Sequence, residues 1–331
     1  MRKIVASIFL LLSSLSLAES YYYRGIMGDG LPIQMQLELN DTEIYGSYYY
    51  DAYGIPIELR GSLEGARVNL AEFSQEEGET VQTGSFSGSF TDSDFGQHFT
   101  GEWVNSYGNL FNFSLEKVAD YVSVEVKQAQ IEASNTYPYF TISRLEPINQ
   151  LLQETFLQRQ FDFVREGQDM LKAGELHNGW LLDSSTSIHY LSGDGLVSML
   201  ETIYAYTGGA HGNTGFVSHN LLLDSSGIRI LELRDMFAAR SDFMTVLSPL
   251  IIEDLRGQMA SWVIEGSVTE VTEADLQTFV ISPLGLEFYF EPYRMGAYVE
   301  GSYQVLLTYD RLLEFIDESS PLFRFLPHSQ P

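Results

Sequence analysis

The chain has 331 residues, of which 45 are acidic and 18 basic, giving a formal net charge of −27, and it contains no cysteine. The missing thiols exclude disulfides, thiolate catalysis and cysteine metal sites. The scarcity of Lys and Arg argues against nucleic acid and anionic lipid as partners, since both are bound through clustered cations, whereas a cationic partner would be steered toward such a surface.

Arg2 and Lys3 precede an apolar run from Ile4 to Leu17, which closes on Ser16-Leu17-Ala18 ahead of Glu19. That pattern predicts a cleavable signal peptide over residues 1–18 and a periplasmic or secreted product. A membrane anchor is the competing reading, but the run is short of the roughly 20 apolar residues a span needs and is broken by Ser13, Ser14 and Ser16. Cleavage would leave 16 basic residues against 45 acidic ones, a net charge of −29. No second stretch of spanning length follows, so a soluble product without a membrane span is expected. Its roughly 310 residues more naturally fill two domains than one.

Residues 19–117 read as an all-β domain. Ile33 to Leu39 alternates apolar and polar without a break, the signature of a half-buried strand. Asn40-Asp41 supplies a turn, and strands are predicted at Glu43 to Tyr50, Ile55 to Ser62, Arg67 to Phe73, Thr83 to Phe90, His98 to Val104 and Leu110 to Glu116. About eight short strands in this region make a meander. A Gly-x-aromatic unit recurs at Gly46-Ser47-Tyr48, Gly84-Ser85-Phe86, Gly88-Ser89-Phe90 and Gly101-Glu102-Trp103. Glycine in a strand marks a bend, with the ring filling the space opposite, so the repeat suits a sheet curving into a small barrel. Lining of a ligand pocket by the same residues is the alternative.

A composition shift over Lys117 to Asp120 sets the expected boundary of a second domain, residues 118–331. Val122 to Val126 alternates as a strand, with Tyr137 to Arg144 as its partner. Pro147 opens a helix, one face of which carries Ile148, Leu151, Leu152, Phe156, Phe163 and Val164. Strands are predicted at Thr186 to Leu191, Leu196 to Tyr206 and Phe216 to Leu223, then a helix over Asp242 to Met259. Phe279 to Ile281 and Leu286 to Phe290 flank Ser282-Pro283-Leu284-Gly285 as a hairpin, and Tyr303 to Leu307 is a last strand before a short helix at Tyr309 to Ile316. Without a regular βαβ rhythm, the fold class is α+β: an all-β meander or small barrel followed by a mixed domain with an antiparallel sheet.

Two stretches of the second half carry a family signal. One runs from Tyr204 to Gly212 (YAYTGGAHG), followed by Asn220 and Asp224-Ser225-Ser226-Gly227. The other is Phe279 to Ile316. Together they resemble the RsiV-like extracytoplasmic domain family, seen in the anti-sigma factor RsiV and in an accessory domain of the peptidoglycan deacetylase PdaC. The resemblance covers residues 120–318 and implies a mixed α+β domain outside the membrane that binds lysozyme or cell-wall material. A cytoplasmic sigma-binding segment and a transmembrane helix have no counterpart here, so sigma-factor regulation is not carried over. Deacetylation is not carried over either, since no carboxylate and histidine metal triad is evident.

His211, in the glycine-rich run between two strands, is the weak catalytic candidate. A catalytic histidine needs an orienting carboxylate and a nucleophile or metal, and Asp194 and Asp224 are the candidate orienters. The alternative, favoured here, is that Gly208, Gly209 and Gly212 supply positive φ for a tight turn while His211 hydrogen-bonds locally. The six histidines, His98, His177, His189, His211, His219 and His328, show no HxH or HExxH spacing. His211 and His219 flank a hairpin and would have to face one another to share a metal. Tyr289, Tyr293, Tyr298 and Tyr303 offer rings to a sugar or a partner protein, or to the core. The residues expected to bind are Tyr206, Gly208, Gly209, His211, Tyr293 and Tyr298, with no metal and no cofactor. A non-enzymatic envelope binding protein is expected, engaging lysozyme or another cationic protein. The alternative is a peptidoglycan-active enzyme or its accessory module.

Overall fold

The computed structural model describes residues 19–76, 78–91, 97–176 and 178–326. The expected signal peptide, His177 and His328 lie outside them. β1 (Glu19–Met27), β2 (Leu31–Asn40), β3 (Glu43–Tyr50), β4 (Ile57–Glu64), β5 (Arg67–Glu76), β6 (Glu79–Thr91), β7 (His98–Asn105) and β8 (Leu110–Gln128) pair in chain order, and β1 returns to β8. All these pairings are antiparallel, so the meander closes into an eight-stranded barrel. Period-2 alternation sends Tyr23, Met35, Tyr48, Leu59, Phe86, Phe99 and Phe113 inward, where they form one cluster. An eight-stranded barrel has an interior that side chains just fill, and these rings fill it.

The Gly-x-aromatic repeat makes room for those rings. Gly88 lies opposite Gly101 across β6 and β7. A Cβ on Gly88 would come within 2.9 Å of the Phe113 ring, which packs edge-on to Phe99 at 4.7 Å between centroids. A carboxylate lies in the interior. The Glu72 carboxylate accepts hydrogen bonds from the Tyr48 hydroxyl (2.7 Å), the Trp103 indole N–H (2.6 Å) and the Thr83 hydroxyl (2.7 Å). No cation pairs with it among the described residues.

β8 runs straight through the boundary expected at 117/118. Its first half closes the barrel and its second half, from Ala119 to Gln128, pairs with β9 (Ile131–Phe140). The shift in composition near Lys117 coincides with a bulge: Tyr22 pairs with Ala119 but Tyr23 with Lys117, leaving Val118 extra where the strand leaves the barrel. β9 begins and ends earlier than the predicted Tyr137 to Arg144. Its inward positions include Ala133 and the polar Asn135, both buried, so the apolar alternation that marks a strand is missing.

α1 (Glu146–Ala173) starts on Pro147 and ends at Gly174 with φ +75°, a left-handed cap. It carries the chain back so that β10 (Trp180–Leu191) runs parallel to β9, the exception in an otherwise antiparallel sheet. β11 (Leu196–Tyr206), β12 (Asn213–Asp224) and β13 (Gly227–Ile230) complete it. Val197, Met199 and Leu221 face α1 with Phe156. Leu196 and Tyr190 face the opposite layer, made by α2 (Met244–Gly257) and a second sheet of β14 (Phe279–Ile281), β15 (Gly285–Phe290) and β16 (Tyr303–Thr308). Asn220 bridges these layers: its amide donates to the Phe279 carbonyl (2.8 Å) and its oxygen accepts from Ser198 (2.6 Å). The helix expected at Tyr309 to Ile316 is instead two 3₁₀ turns, because the Tyr309 hydroxyl donates to the Ser282 carbonyl (2.5 Å) and its ring stacks on Phe325.

The barrel seats on the sheet through Tyr22 and Tyr49. Tyr49 donates to the His189 carbonyl (3.2 Å), and the buried Gln34 oxygen accepts from Tyr22 and from the Leu191 N–H. His189 is packed against Tyr289 with Glu287 at 3.6 Å. Burial disfavours its imidazolium more than Glu287 favours it, so its pKa is lowered. As pH falls below the unfolded-state value of about 6.5, the unfolded chain takes up a proton that the folded one resists. Stability should therefore fall between neutral and mildly acid pH, and His189→Gln should flatten that part of the Tm-versus-pH curve. An unchanged curve in the variant would show that His189 does not carry it.

Candidate functional site

The β11–β12 hairpin projects its tip, residues 207–212, beyond the sheet. Gly208 and Gly209 take φ of +87° and +135°, values that only glycine adopts without strain. Gly212 differs from expectation. Its φ is not positive, and a Cβ there would lie 2.4 Å from the tip of the Tyr204 ring, which would have to move aside. The Tyr206 hydroxyl donates to the Gly209 carbonyl (3.1 Å) and braces the tip.

Against this tip lies the loop from Glu291 to Gly301. The Tyr298 ring stacks on His211 at 3.9 Å between centroids and 25° between planes, and Tyr293 packs on the other side of Tyr298 at 5.4 Å. Gly212 ties the two segments together, since its carbonyl accepts both from the Tyr298 hydroxyl (2.8 Å) and from His211 Nδ1–H (2.9 Å). His211 and Tyr293 are exposed, Tyr293 at 52%. The six residues expected to bind thus meet in one place: Tyr206, Gly208 and Gly209 shape the tip, while His211, Tyr298 and Tyr293 form a row of rings facing solvent. Tyr289 and Tyr303 do not join them. Their hydroxyls donate to Glu287 (3.0 Å) and Glu300 (2.6 Å), and Tyr303 is buried.

Two features of the loop have no local signature in the sequence. Tyr293 sits at φ +68°, a left-handed conformation that costs a non-glycine residue about 1–2 kcal/mol. Strain of that kind persists where the surrounding structure imposes it, and it collects at ligand sites. Glu300 ties the other end of the loop to the body of the domain. Its carboxylate accepts from the Ala297 N–H (2.6 Å), the Tyr303 hydroxyl (2.6 Å), and the N–H (3.0 Å) and hydroxyl (2.7 Å) of Ser261, at the start of α3 (Ser261–Ile264). These bonds, that from Tyr303 foremost, pull its pKa down to about 2. On the far side of Tyr293, Thr278, Tyr289, Glu291 and Arg294 border a depression of about 200 Å³, where Arg294 pairs with Asp275.

The catalytic reading of His211 finds no support in these contacts. Asp194 is held by Ser192 and Arg324, and Asp224 accepts from the N–H (2.7 Å) and hydroxyl (2.5 Å) of Ser226. Neither reaches His211, which is oriented by a main-chain carbonyl and a ring. His219 does not face His211 either. It lies beneath α1, edge-on to Phe156, with Nε2 3.3 Å from Glu201. Among the described residues no three His, Asp or Glu side chains converge as a metal site.

Two protein families match consecutive segments that follow the barrel. The family described as "Deacetylase PdaC" matches residues 124–214, and "Protein of unknown function (DUF3298)" matches residues 234–310. The hairpin tip lies in the first segment and Tyr293 and Tyr298 lie in the second, so the row of rings is built where the two segments meet. The barrel lies outside both. No curated protein matches. Among solved structures, a DUF3298-family member from Bacteroides fragilis is 15% identical, with 61% of this chain and 94% of that one covered at a TM-score of 0.38. A DUF3298-family protein from Pseudomonas aeruginosa is 17% identical at the same coverage, with a TM-score of 0.39. The chain is therefore similar, segment by segment, to PdaC-type and DUF3298 domains.

Proposed function

We propose that the protein is a non-enzymatic, extracytoplasmic binding module of the cell envelope, and that the ring row His211–Tyr298–Tyr293 is its contact surface. The observation that carries this reading is the exposed, strained Tyr293 packed on Tyr298, which stacks on His211, while among the described residues His211 is oriented by the Gly212 carbonyl and by no carboxylate. Rings with an apolar face and a polar edge suit contact surfaces, where they add area at little entropic cost. The PdaC-type match and the RsiV-like resemblance support an envelope setting. The net charge of −27 supports a cationic protein as partner, lysozyme among them. Peptidoglycan fragments are the second candidate, favoured by the open stacked faces on which a sugar ring can lie.

Tyr293→Gly separates binding from stability. Glycine adopts φ +68° freely, so the variant should melt at or above the wild-type temperature while its affinity falls about tenfold, as for a truncated aromatic anchor. Titration calorimetry with lysozyme and with soluble peptidoglycan fragments, at low and moderate salt, reads the loss. If neither ligand binds at low salt, the reading fails. Turnover of peptidoglycan fragments that disappears in His211→Ala would replace it with catalysis.

A further inference from the structure

All four turns at one end of the barrel expose large apolar side chains. Leu31 (53% exposed) follows the β1–β2 turn, and Tyr53 and Ile55 lie in the β3–β4 turn. Val81 follows the β5–β6 turn, while Tyr107, Leu110 and Phe111 belong to the β7–β8 turn and the strand start beyond it. In a closed antiparallel meander these alternate turns share one end, so the residues encircle a single mouth. Neighbours along it are in contact. Phe111 packs on Trp103 at 5.7 Å between centroids and lies against Gly28, and Tyr53 packs on Tyr50 at 6.4 Å. The barrel end thus carries a rim of rings and aliphatic chains; the β3–β4 turn rests on the β14–β15 hairpin at Gly54, where a Cβ would lie 2.9 Å from the Leu284 N, but Leu31, Tyr53, Tyr107, Leu110 and Phe111 stay exposed. A soluble surface normally scatters such residues singly.

The charges of the rim say what would cover it. The described residues of the four turns, 28–30, 51–56, 78 and 106–109, contain no Lys or Arg. Asp29 and Glu79 are exposed there, and the rim cation nearest in sequence, Arg24, faces Asp51 at 3.7 Å. Beneath the rim lies the Glu72 carboxylate, held by Trp103, Tyr48 and Thr83 and by no cation. Among the described residues, the exposed charges of this end without a cation beside them are therefore negative. A second copy of the chain would meet like charge, and an anionic lipid surface would be repelled. We infer that this end of the barrel is a docking surface for a cationic amphipathic peptide segment, its apolar side chains on the ring of Leu31, Tyr53 and Phe111 and its Lys and Arg toward Asp29 and Glu79. This site is separate from the ring row around Tyr298 and stands or falls without it.

A synthetic Lys/Leu amphipathic peptide is the probe, titrated into the full chain by fluorescence anisotropy. Binding should weaken as salt is raised, because exposed charges steer it. It should fall about tenfold in Leu31→Ser/Phe111→Ser, in line with loss of apolar anchors. Should the first double variant melt early, Tyr53→Ser/Tyr107→Ser touches only exposed rings and must show the same loss. Equal binding by wild type and the folded rim variant overturns the inference. So does a failure of the peptide to bind at low salt, or a preference of the rim for zwitterionic phosphatidylcholine vesicles over the peptide.

Discussion

Gly101→Val should keep the barrel from closing properly and cost about 3 kcal/mol or more, the upper range for forcing atoms into a packed interior. A side chain at position 101 would place its Cβ 2.2 Å from the Ser87 carbonyl oxygen and 2.5 Å from the Gly88 Cα. Both are main-chain atoms, so no rotamer relieves the clash, and β6 must separate from β7. Their separation would also part Phe90 from Phe99 and Phe86 from Phe113, which pack at 5.1 and 5.2 Å. A loss of that size lowers Tm by roughly 10 °C in a chain of this length. Gly257, at the end of α2, is the control. A Cβ there meets nothing within 4 Å, and its φ is not positive, so Gly257→Ala should be neutral or stabilising by about 0.5–1 kcal/mol. A Gly101→Val protein melting within a few degrees of wild type would show that the glycine pair is not what lets the wall bend.

The repeat that contains Gly101 was legible in the sequence because its cause is local: a bend, and a ring to fill it. The same holds for β2, whose inward residues Ile33, Met35, Leu37 and Leu39 are all apolar and all buried. Legibility ended where one strand serves two surroundings. In β1, Tyr21, Tyr22 and Tyr23 are buried in succession, the first and third inside the barrel and the second against the sheet beyond it, so no period survives. β8 crosses the same junction and shows a change of composition without an interruption of the strand. In the candidate site, the glycines, tyrosines and His211 were readable as residue types in two separate runs. Their meeting was not, since it depends on Gly212 accepting a bond from a tyrosine 86 positions later. Glu300 was equally silent, because its partner Ser261 is 39 residues away.

Glu201→Leu should destabilise the protein by about 3–5 kcal/mol, the cost of stranding one half of a buried charge pair. Glu201, on β11, is fully buried beneath α1. Its carboxylate pairs with Arg159 from the helix and with His219 from β12 at 3.3 Å. Burial alone would raise its pKa, but the His219 hydrogen bond and the Arg159 charge outweigh burial and hold it below the ordinary carboxylate value. The charge is thus stabilised only as part of a set drawn from three elements. Removing the carboxylate leaves the Arg159 side chain, 26% exposed, over Phe156 with no anion. Arg159→Met on its own strands the fully buried Glu201 with His219 as its single partner and should also be costly. The two changes together should recover most of the loss, because an apolar pair of similar volume fills the space without a charge to desolvate. Acid gives an independent readout. A carboxylate whose folded pKa is depressed contributes stability above its unfolded value, and that contribution disappears as pH falls through the folded one. Wild type should therefore lose more stability between neutral and acid pH than the double variant does. Equilibrium urea unfolding of the four proteins at both pH values measures these differences. Additive single effects, with no recovery in the double variant, would mean that Arg159 and Glu201 do not act as a pair. Recovery with a flattened acid limb would locate in this buried set the interaction that clamps α1 onto the sheet whose β11–β12 hairpin carries His211.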